Sequence, residues 1–293
     1  MGISVFILKL IALCSMILDH LGVFLYPRFA SYSLARLFRV VGRIAFPVYA
    51  FLIVNGYEKT RDVTRYLTRL CTLALISQLP FVLTFEPAPV AGAGFSFSLT
   101  GPWPAGELIL IAFVAAVWFL TVRRDASVLL PVLALLAGIS RLSVGHVLLL
   151  TSDLNVFYTL ALGLACVSIL DRAMKPDRQL LPLLWQTTAL AAAFLLIRGT
   201  ADYRYLGVAL IVSLSLCRDR RSSQALLIVM WAAVEYLIGL MRVDYFVSAS
   251  LAAGLILLYH GEHGRPLKRL FYWSYPAHLL LLGLLNVWYS LGA

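Results

Sequence analysis

Long apolar stretches alternate with short polar segments along the whole chain. A helix that crosses a bilayer needs about 20 mostly apolar residues, and about eleven stretches approach that length, within one or two because several are short or contain glycine, proline or charge. The predicted spans are 3–26, 40–57, 66–85, 106–122, 127–145, 154–170, 180–198, 204–217, 225–241, 245–260 and 270–290. The first stretch lacks a basic leader and a small-residue cleavage site, so we expect it to remain as a membrane helix. The pattern predicts an all-α fold, a single polytopic helical membrane domain over residues 1–293.

Composition supports a membrane protein. The residues are 61% hydrophobic and 13% charged, whereas soluble domains carry about 25% charged residues. In a soluble protein the net charge of +10 would suggest a nucleic-acid partner. No run of Lys or Arg exceeds two residues, however, and no nucleic-acid-binding module is recognisable. We therefore expect no nucleic-acid partner.

The basic residues instead indicate orientation, because most of them fall on every second predicted loop. Lysine and arginine are enriched in cytoplasmic loops. We therefore expect a cytoplasmic N-terminus and, with about eleven spans, an external C-terminus. The residues on the predicted cytoplasmic loops are Lys59, Arg61, Arg65, Arg69, Arg123, Arg124, Arg172, Lys175, Arg178, Arg218, Arg220, Arg221, Arg265, Lys268 and Arg269.

The four cysteines, Cys14, Cys71, Cys166 and Cys217, lie in predicted spans without a CxxC pair or ligand-like spacing. This placement is typical of packing residues, so we expect neither a disulfide nor a metal site.

Asp19 and His20 lie together toward the outer end of the first predicted span. An ionisable residue at the centre of a membrane helix costs at least about 2.5–3.5 kcal/mol, which makes each one a candidate for function. Adjacent residues on a helix point about 100° apart, so the two side chains cannot face each other. We expect one to line a cavity and the other to meet a neighbouring helix. The alternative is that both lie at the interface and one caps a helix end.

Arg36, Arg39 and Arg43 are spaced i, i+3 and i+7, which aligns three guanidinium groups along one helical face. Such a stripe suits a phosphate or a carboxylate, because arginine binds these groups in a bidentate fork. The alternative, a solvated interfacial stripe, fits Arg36 better than Arg43. Pro47 lies inside the predicted span and should kink its helix, and broken helices at membrane depth border cavities.

Other polar residues fall in the same outer half of the predicted spans. Asn155 and Thr159 share a helical face, and Glu107 and Asp202 open spans from the outside. His278 lies near mid-span and is either part of a site or a hydrogen-bonded structural residue. These placements predict a polar cavity open to the outer face and floored around His278. The Gly/Pro-rich segment 86–104 is predicted to be an outer loop that serves as a lid or an entry.

An ordered series of motifs runs through the chain. They are Leu8-Lys-Leu-Ile-Ala, Asp19-His20-Leu-Gly, Arg39-Val-Val-Gly-Arg43-Ile-Ala-Phe-Pro47, Gly56-Tyr-Glu-Lys-Thr-Arg61, Tyr66-Leu-Thr-Arg69-Leu, Ile76-Ser-Gln-Leu-Pro-Phe81, Leu154-Asn-Val-Phe-Tyr-Thr159-Leu, Asp202-Tyr with Gly207-Val, and Tyr275-Pro-Ala-His278. In this order they resemble the TraX family of integral membrane proteins.

The resemblance implies an activity. The named member of the family acetylates the N-terminal amine of a conjugative pilin. We therefore expect an acetyltransferase of the bacterial inner membrane, with cytoplasmic acetyl-CoA as donor and an amine or hydroxyl as acceptor. The acceptor is a pilin peptide, a glycan, a lipid or a secreted small molecule. The family's polar motif positions fall on Asp19, His20, Arg39, Arg43, Asn155, Asp202 and His278.

Acyl transfer from a thioester needs a base and hydrogen-bond donors for the oxyanion. No nucleophilic Ser or Cys motif is present, which favours direct attack by the acceptor. Our hypothesis makes His20 the base, oriented by Asp19 or Asp202, with His278 as the competing base. Asn155 would supply an oxyanion or acceptor hydrogen bond. Arg39 and Arg43 would hold an anionic group, either of CoA or of the acceptor.

Two functions from other classes stay open at this stage. Intramembrane prolines, broken helices and charged cavities are equally natural in a transporter or flippase. A non-enzymatic pilus-assembly partner is the third hypothesis. It predicts that removal of either His20 or His278 leaves function intact.

Overall fold

The computed structural model describes residues 2–26, 31–85, 97–99, 142–144, 147–148, 153–175, 203–240, 242–262 and 267–292. The helices are α1 (Val5–Leu25), α2 (Tyr32–Gly42), α3 (Ala45–Lys59), α4 (Val63–Phe85), α5 (Val156–Ala173), α6 (Arg204–Leu216), α7 (Arg221–Leu237), α8 (Val243–Leu257) and α9 (Lys268–Gly292). The strands are β1 (Phe97–Leu99), β2 (Leu142–Val144) and β3 (Val147–Leu148).

The prediction of a helical membrane protein is confirmed for these residues. Five helices are long and apolar enough to cross a membrane: Val5–Leu25, Tyr32–Lys59 (α2 and α3 taken together), Val63–Phe85, Val156–Ala173 and Arg269–Ser290. The count of about eleven spans is not supported. The described residues form eight helices when Tyr32–Lys59 is counted once. Predicted spans 106–122 and 180–198, and most of 127–145, lie outside them.

Part of the difference in span count has a physical reason. Helix α6 has 13 residues and α8 has 15, which gives lengths of about 20 Å and 22 Å at 1.5 Å per residue. A bilayer core is about 30 Å thick. Beyond α8 the apolar sequence continues through Leu258 and Tyr259, but the helical backbone does not. The orientation of the chain stays a prediction.

Three short strands are an addition to the predicted all-α fold. They form an antiparallel sheet in the order β1-β2-β3, with Phe97 opposite Val144 and Ser143 opposite Leu148. The segments Phe97-Ser-Leu and Leu142-Ser-Val alternate apolar and polar residues, which is the period of a strand. The first lies in the predicted outer loop 86–104 and the second overlaps the end of predicted span 127–145.

The described chain divides into two compact units. The first comprises residues 1–59, 80–88 and 209–293, and the second comprises 60–79 and 89–208. In the first unit α1 packs on α2, α3 and α9, and α8 packs on α7, α3 and α2. The N-terminal segment joins the far end of α8, because Ile3 N donates to Leu258 O at 2.8 Å and His260 N donates to Ile3 O at 3.2 Å.

Two glycines allow α1 and α2 to approach closely. A Cβ atom placed on Gly22 would lie 2.9 Å from Ala35 O and 3.0 Å from Phe38 Cβ. A Cβ atom on Gly42 would overlap the Asp19 side chain and lie 2.7 Å from Asp19 Cα. Small residues of this kind bring backbones together in membrane helix pairs. The contact fixes Asp19, and therefore the adjacent His20, relative to α2.

Pro47 has a different position from the one predicted. The helix is interrupted at residues 43–44 and α3 begins at Ala45, so Pro47 lies in the first turn, where its missing N–H is not needed. The proline ring excludes the carbonyl four residues earlier, which here belongs to Arg43. The prediction of a kink inside the helix is therefore wrong in position, but the broken helix is present at Arg43.

The end of α4 packs on α9 through polar bonds. Thr84 Oγ1 donates to Leu279 O at 2.8 Å, and Asn286 Nδ2 donates to Thr84 O at 2.6 Å. A Cβ atom on Gly283 would lie 2.7 Å from Leu83 Cβ, so this crossing is also close. These contacts place Phe85, the last residue of α4, beside the C-terminal third of α1, where it contacts His20.

Candidate functional site

A pair of histidines joins α1 to α9. His20 Nδ1 lies 2.6 Å from His278 Nε2, and the two rings are nearly parallel with centroids 5.0 Å apart. The predicted span pattern placed both residues at membrane depth, but 258 positions separate them. The structure therefore brings together the two residues that were predicted as competing bases.

The hydrogen bonds of His278 define which nitrogen of each ring carries a proton. His278 Nδ1 lies 2.6 Å from the backbone carbonyl of Ser274, and because a carbonyl can only accept, Nδ1 carries the hydrogen. In a neutral His278 the Nε2 atom must then accept. His20 Nδ1–H is the donor to it, which leaves the lone pair of a neutral His20 on Nε2. Of the two rings, His20 is thus the one equipped to take a proton from a substrate.

The pair has an aromatic environment. Phe85 and Tyr275 meet His20 edge to face, with ring centroids 5.5 Å and 5.8 Å away. His20 is 8% exposed and Tyr275 is 2% exposed. Contacts of this kind fix the orientation of the imidazole and keep water away from its faces. A buried hydrogen bond between two polar side chains is also stronger in such surroundings than in water.

Asp19 points to α2 and not to the histidines. Arg39 Nη1 donates to Asp19 Oδ2 at 3.0 Å, and Arg43 Nε lies 4.0 Å from Asp19 Oδ1. Asp19 and His20 do not face each other, as expected, but both meet a neighbouring helix, and the expectation that one of them lines a cavity stays a prediction. The Nδ1 atom of His20 has His278 as its partner, so the hypothesis that Asp19 orients His20 directly does not fit the geometry. Asp19 instead anchors the arginine face of α2 to α1.

The stripe of Arg36, Arg39 and Arg43 is largely charge-compensated. Arg36 Nε donates to Asp244 Oδ2 at 2.6 Å, and the guanidinium of Arg43 lies over the Tyr245 ring, 5.0 Å from its centroid. With Arg242, whose Nε lies 3.6 Å from Asp244 Oδ1, this region holds four guanidinium groups and two carboxylates. It stays net positive, as the sequence predicts for an anion site, but the pairing of the arginines with Asp19 and Asp244 was not predicted.

Asn155 has a structural position in the second unit. It is the N-cap of α5, where its Oδ1 accepts from Phe157 N at 3.1 Å. Its Nδ2 donates to Ala74 O at 2.8 Å and to Gln78 Oε1 at 2.9 Å. Both amide hydrogens and the oxygen are therefore occupied in a side chain that is 0% exposed. This geometry gives no support to an oxyanion role, which stays a prediction.

Several predicted site residues lie elsewhere. Asp202 and Glu107 are outside the described residues, as is most of segment 86–104. Thr159 is fully buried in α5. The described residues therefore bring together Asp19, His20, Arg39, Arg43 and His278 in the first unit, and the predicted outer cavity stays a prediction.

A basic cluster lies at the opposite end of α1, around Tyr259. Arg221 stacks on the Tyr259 ring, 5.0 Å from its centroid, and also donates to the Tyr259 carbonyl. Lys59 Nζ lies 3.5 Å from Tyr259 Oη, and Arg218 Nε lies 3.8 Å from Glu58 Oε1. These residues belong to loops predicted to be cytoplasmic. Arginine and lysine are the usual ligands of phosphate groups, so the cluster suits the polyanionic part of a CoA molecule.

Sequence reasoning missed three contributors to the histidine and arginine sites. The Ser274 carbonyl carries no sequence signal, because any residue four positions before His278 would supply one. Gly42 has a signal, since it is a lone small residue between Val41 and Arg43. Asp244 has no distinctive signal, because acidic residues are common in the first turn of a helix, where they interact favourably with the helix dipole.

Comparisons with known proteins agree with the ordered motifs. The family described as TraX protein matches residues 4–101 and 106–286. An uncharacterized protein of Rickettsia prowazekii is 32% identical over 81 residues, which are 27% of this chain and 28% of that protein. The alignment thus spans little more than a quarter of that relative. No solved structure matches the chain. Because the family match covers nearly the whole sequence, the chain belongs to the TraX protein family.

Proposed function

We propose that this protein is a membrane acetyltransferase that uses acetyl-CoA and modifies an amine, such as a pilin N-terminus, or a hydroxyl at the membrane or on its periplasmic side. The observation that carries the proposal is the hydrogen-bonded chain from the buried His20 through the half-buried His278 to the Ser274 carbonyl. Placing two imidazoles within membrane-spanning helices costs free energy, which makes such residues candidates for function. Membership of the TraX family supports the same activity through the resemblance described above.

Acetyl-CoA, when bound, supplies an acetyl group activated as a thioester. His20 Nε2 takes the proton that the acceptor amine or hydroxyl loses as its nitrogen or oxygen bonds to the acetyl carbon. His20 then returns that proton to the departing thiolate. While His20 holds the proton, its Nδ1–H is hydrogen-bonded to His278 Nε2, so the positive charge is shared between two rings. His278 is therefore a positioning residue that also stabilises the charged state of His20.

The arginines of α2 are proposed to bind an anionic group of the acceptor. Arg39 and Arg43 together outweigh the single charge of Asp19, and this partner directly precedes His20 on α1. The basic cluster around Tyr259 is proposed to hold the phosphates of the donor. From Ser4 to His20 α1 rises by about 24 Å. The donor must therefore extend along most of α1 to present its acetyl group to His20.

Acetyl transfer in reconstituted proteoliposomes tests the histidine assignment. Radiolabelled acetyl-CoA and a peptide with a free N-terminus are supplied to the wild type, His20→Ala and His278→Ala. His260→Ala is the matched control, because His260 is exposed and its side chain bonds the Ile3 carbonyl and Glu262, at the opposite end of α1 from the histidine pair. We expect loss of transfer for His20→Ala and a decrease of about a hundredfold for His278→Ala, with wild-type transfer for the control.

Different outcomes separate the competing functions. Wild-type transfer by both His20→Ala and His278→Ala would refute the mechanism. Movement of a solute across the liposome membrane without acetyl-CoA would instead identify a transporter. In cells, loss of an acetyl increment from an envelope or secreted molecule in a deletion strain would identify the acceptor. An unchanged acetylation pattern together with defective pilus assembly would indicate the non-enzymatic function.

A further inference from the structure

A second cationic site lies where the N-terminal ends of α2 and α8 meet, apart from the histidine pair. It comprises Tyr32 and Arg36 at the start of α2, and Arg242 and Asp244 at the start of α8, and we call it the α2–α8 corner. Asp244 holds both arginines through their Nε atoms, with Arg36 at 2.6 Å and Arg242 at 3.6 Å. Arg242 Nη1 also lies 3.4 Å from the Tyr32 hydroxyl. One carboxylate thus aligns two guanidinium groups.

The arginines of the corner are open to their surroundings. The side chains of Arg36 and Arg242 are 40% and 55% exposed, whereas Asp244 is 16% exposed. The carboxylate occupies only the Nε side of each guanidinium in these contacts, and each group has five N–H donors in all. A trio of two guanidinium groups and one carboxylate keeps one net positive charge. The corner therefore presents surplus donors and surplus charge to an external anion.

Exposed apolar and aromatic side chains surround the corner. Leu37 and Val243, which adjoin Arg36 and Arg242 in sequence, are 56% and 57% exposed. Tyr26 and Tyr32 are also exposed and meet edge to face, 5.7 Å apart. Tyrosines are enriched where the bilayer core meets the headgroups, and arginines extend their charged ends to that level. The corner thus combines a lipid-facing surface with a phosphate-binding fork.

We propose that the α2–α8 corner binds the phosphodiester headgroup of an anionic phospholipid. Arg36 and Arg242 donate paired hydrogen bonds to its phosphate oxygens, and its acyl chains lie on the exposed apolar side chains beside the corner. This site is independent of the proposed acetyl transfer, because it uses Asp244 and not Asp19. It shares α2 with Arg39 and Arg43, so a lipid held here also steadies the helix that carries the acceptor-binding arginines.

Lipid retention tests the proposal. Delipidated protein in detergent is titrated with phosphatidylglycerol and analysed by native mass spectrometry. The variants are Arg36→Gln with Arg242→Gln, and Arg61→Gln as the matched control, since Arg61 is an exposed arginine of a predicted cytoplasmic loop. We expect the double variant to weaken binding by about tenfold or more and the control to match the wild type. Equal weakening by the control would overturn the proposal.

Competitors distinguish a lipid site from a general anion site. Excess inorganic phosphate should displace little phosphatidylglycerol, because inorganic phosphate has no acyl chains to contact the apolar side chains beside the corner. Complete displacement by phosphate would overturn the proposal. Equal affinity of wild type and double variant for phosphatidylglycerol, or equal affinity of the wild type for phosphatidylcholine and phosphatidylglycerol, would overturn it as well.

Asp244→Asn separates geometry from charge. The substitution removes a negative charge, so simple electrostatic attraction predicts tighter binding of phosphatidylglycerol. The proposed site predicts weaker binding, because the two guanidinium groups lose the carboxylate that aligns them. Arg242→Lys tests the same point without altering Asp244. It retains the positive charge, so simple electrostatic attraction predicts unchanged binding, whereas loss of the planar guanidinium fork predicts weaker binding. Tighter or unchanged binding by both variants would overturn the proposal.

Discussion

Replacing Gly42 by alanine tests whether the close contact of α1 and α2 determines the position of the site. The added Cβ would overlap the Asp19 side chain and lie 2.7 Å from both Asp19 Cα and Asp19 Oδ1. Ordinary contacts between carbon atoms are about 3.5–4.0 Å. Because Asp19 Cα belongs to the backbone, a side-chain rotation cannot relieve the overlap. The two helices must separate by about 1 Å.

The expected cost follows from this displacement. Overpacking of a close contact costs about 1–3 kcal/mol. A separation of that size would also stretch the bond between Arg39 Nη1 and Asp19 Oδ2 from 3.0 Å to about 4 Å, beyond the range of a hydrogen bond. Loss of that bond costs about 0.5–1.5 kcal/mol, and the better helix propensity of alanine offsets a similar amount, about 0.5–1 kcal/mol. We expect Gly42→Ala to lower the free energy of unfolding by about 1–3 kcal/mol and to reduce acetyl transfer, because His20 adjoins Asp19.

Gly254→Ala is the matched control. Gly254 lies within α8, and a Cβ atom there would have no neighbouring atom within 4 Å. We expect this variant to be neutral or stabilised by up to about 1 kcal/mol. The measurement is reversible unfolding in mixed detergent micelles, followed by tryptophan fluorescence, with acetyl transfer measured in parallel. Equal stability of Gly42→Ala and Gly254→Ala would refute the close contact and the reasoning built on it.

Two further substitutions probe other parts of the structure. Tyr158 is 1% exposed and its hydroxyl has no hydrogen-bond partner within the described part of the chain, so Tyr158→Phe should raise the free energy of unfolding by about 1 kcal/mol; a loss of stability in the same assay would contradict this. Arg43→Ala should abolish acetyl transfer while leaving the affinity for acetyl-CoA unchanged in equilibrium dialysis, and a weaker affinity would assign Arg43 to the donor.

Local features of the fold were predictable from sequence. The predicted span 3–26 corresponds to Val5–Leu25, and 66–85 corresponds to Val63–Phe85, because each is a long, mostly apolar stretch of helical length. The divergence of Asp19 and His20 was also predictable, since it follows from helical geometry alone. Ends were less predictable where apolar sequence outlasts the helix, as it does after Leu257.

The partners of the site residues were not predictable, because they depend on contacts between distant segments. The pattern identified His20 and His278 as candidates, but their hydrogen bond spans 258 positions. The arginine stripe was visible, whereas its pairing with Asp19 and Asp244 depends on how α2 packs on α1 and α8. Asn155 was a good candidate by residue type. Its position as the N-cap of α5 and its bonds to α4 depend on where α5 lies relative to α4, which the sequence pattern does not show.

The separation of the two histidines has a consequence for biogenesis. Ribosomes add about 5–20 residues per second, so His278 is synthesised about 13–52 s after His20. Arg39, which is 20 positions beyond Asp19, follows within about 1–4 s. The nascent pair of α1 and α2 can therefore join through Asp19 while the imidazole of His20 still lacks its partner in the bilayer. Insertion of α9 then completes the core and the histidine pair in the same step, so an incompletely inserted chain lacks the pair on which the proposed transfer depends.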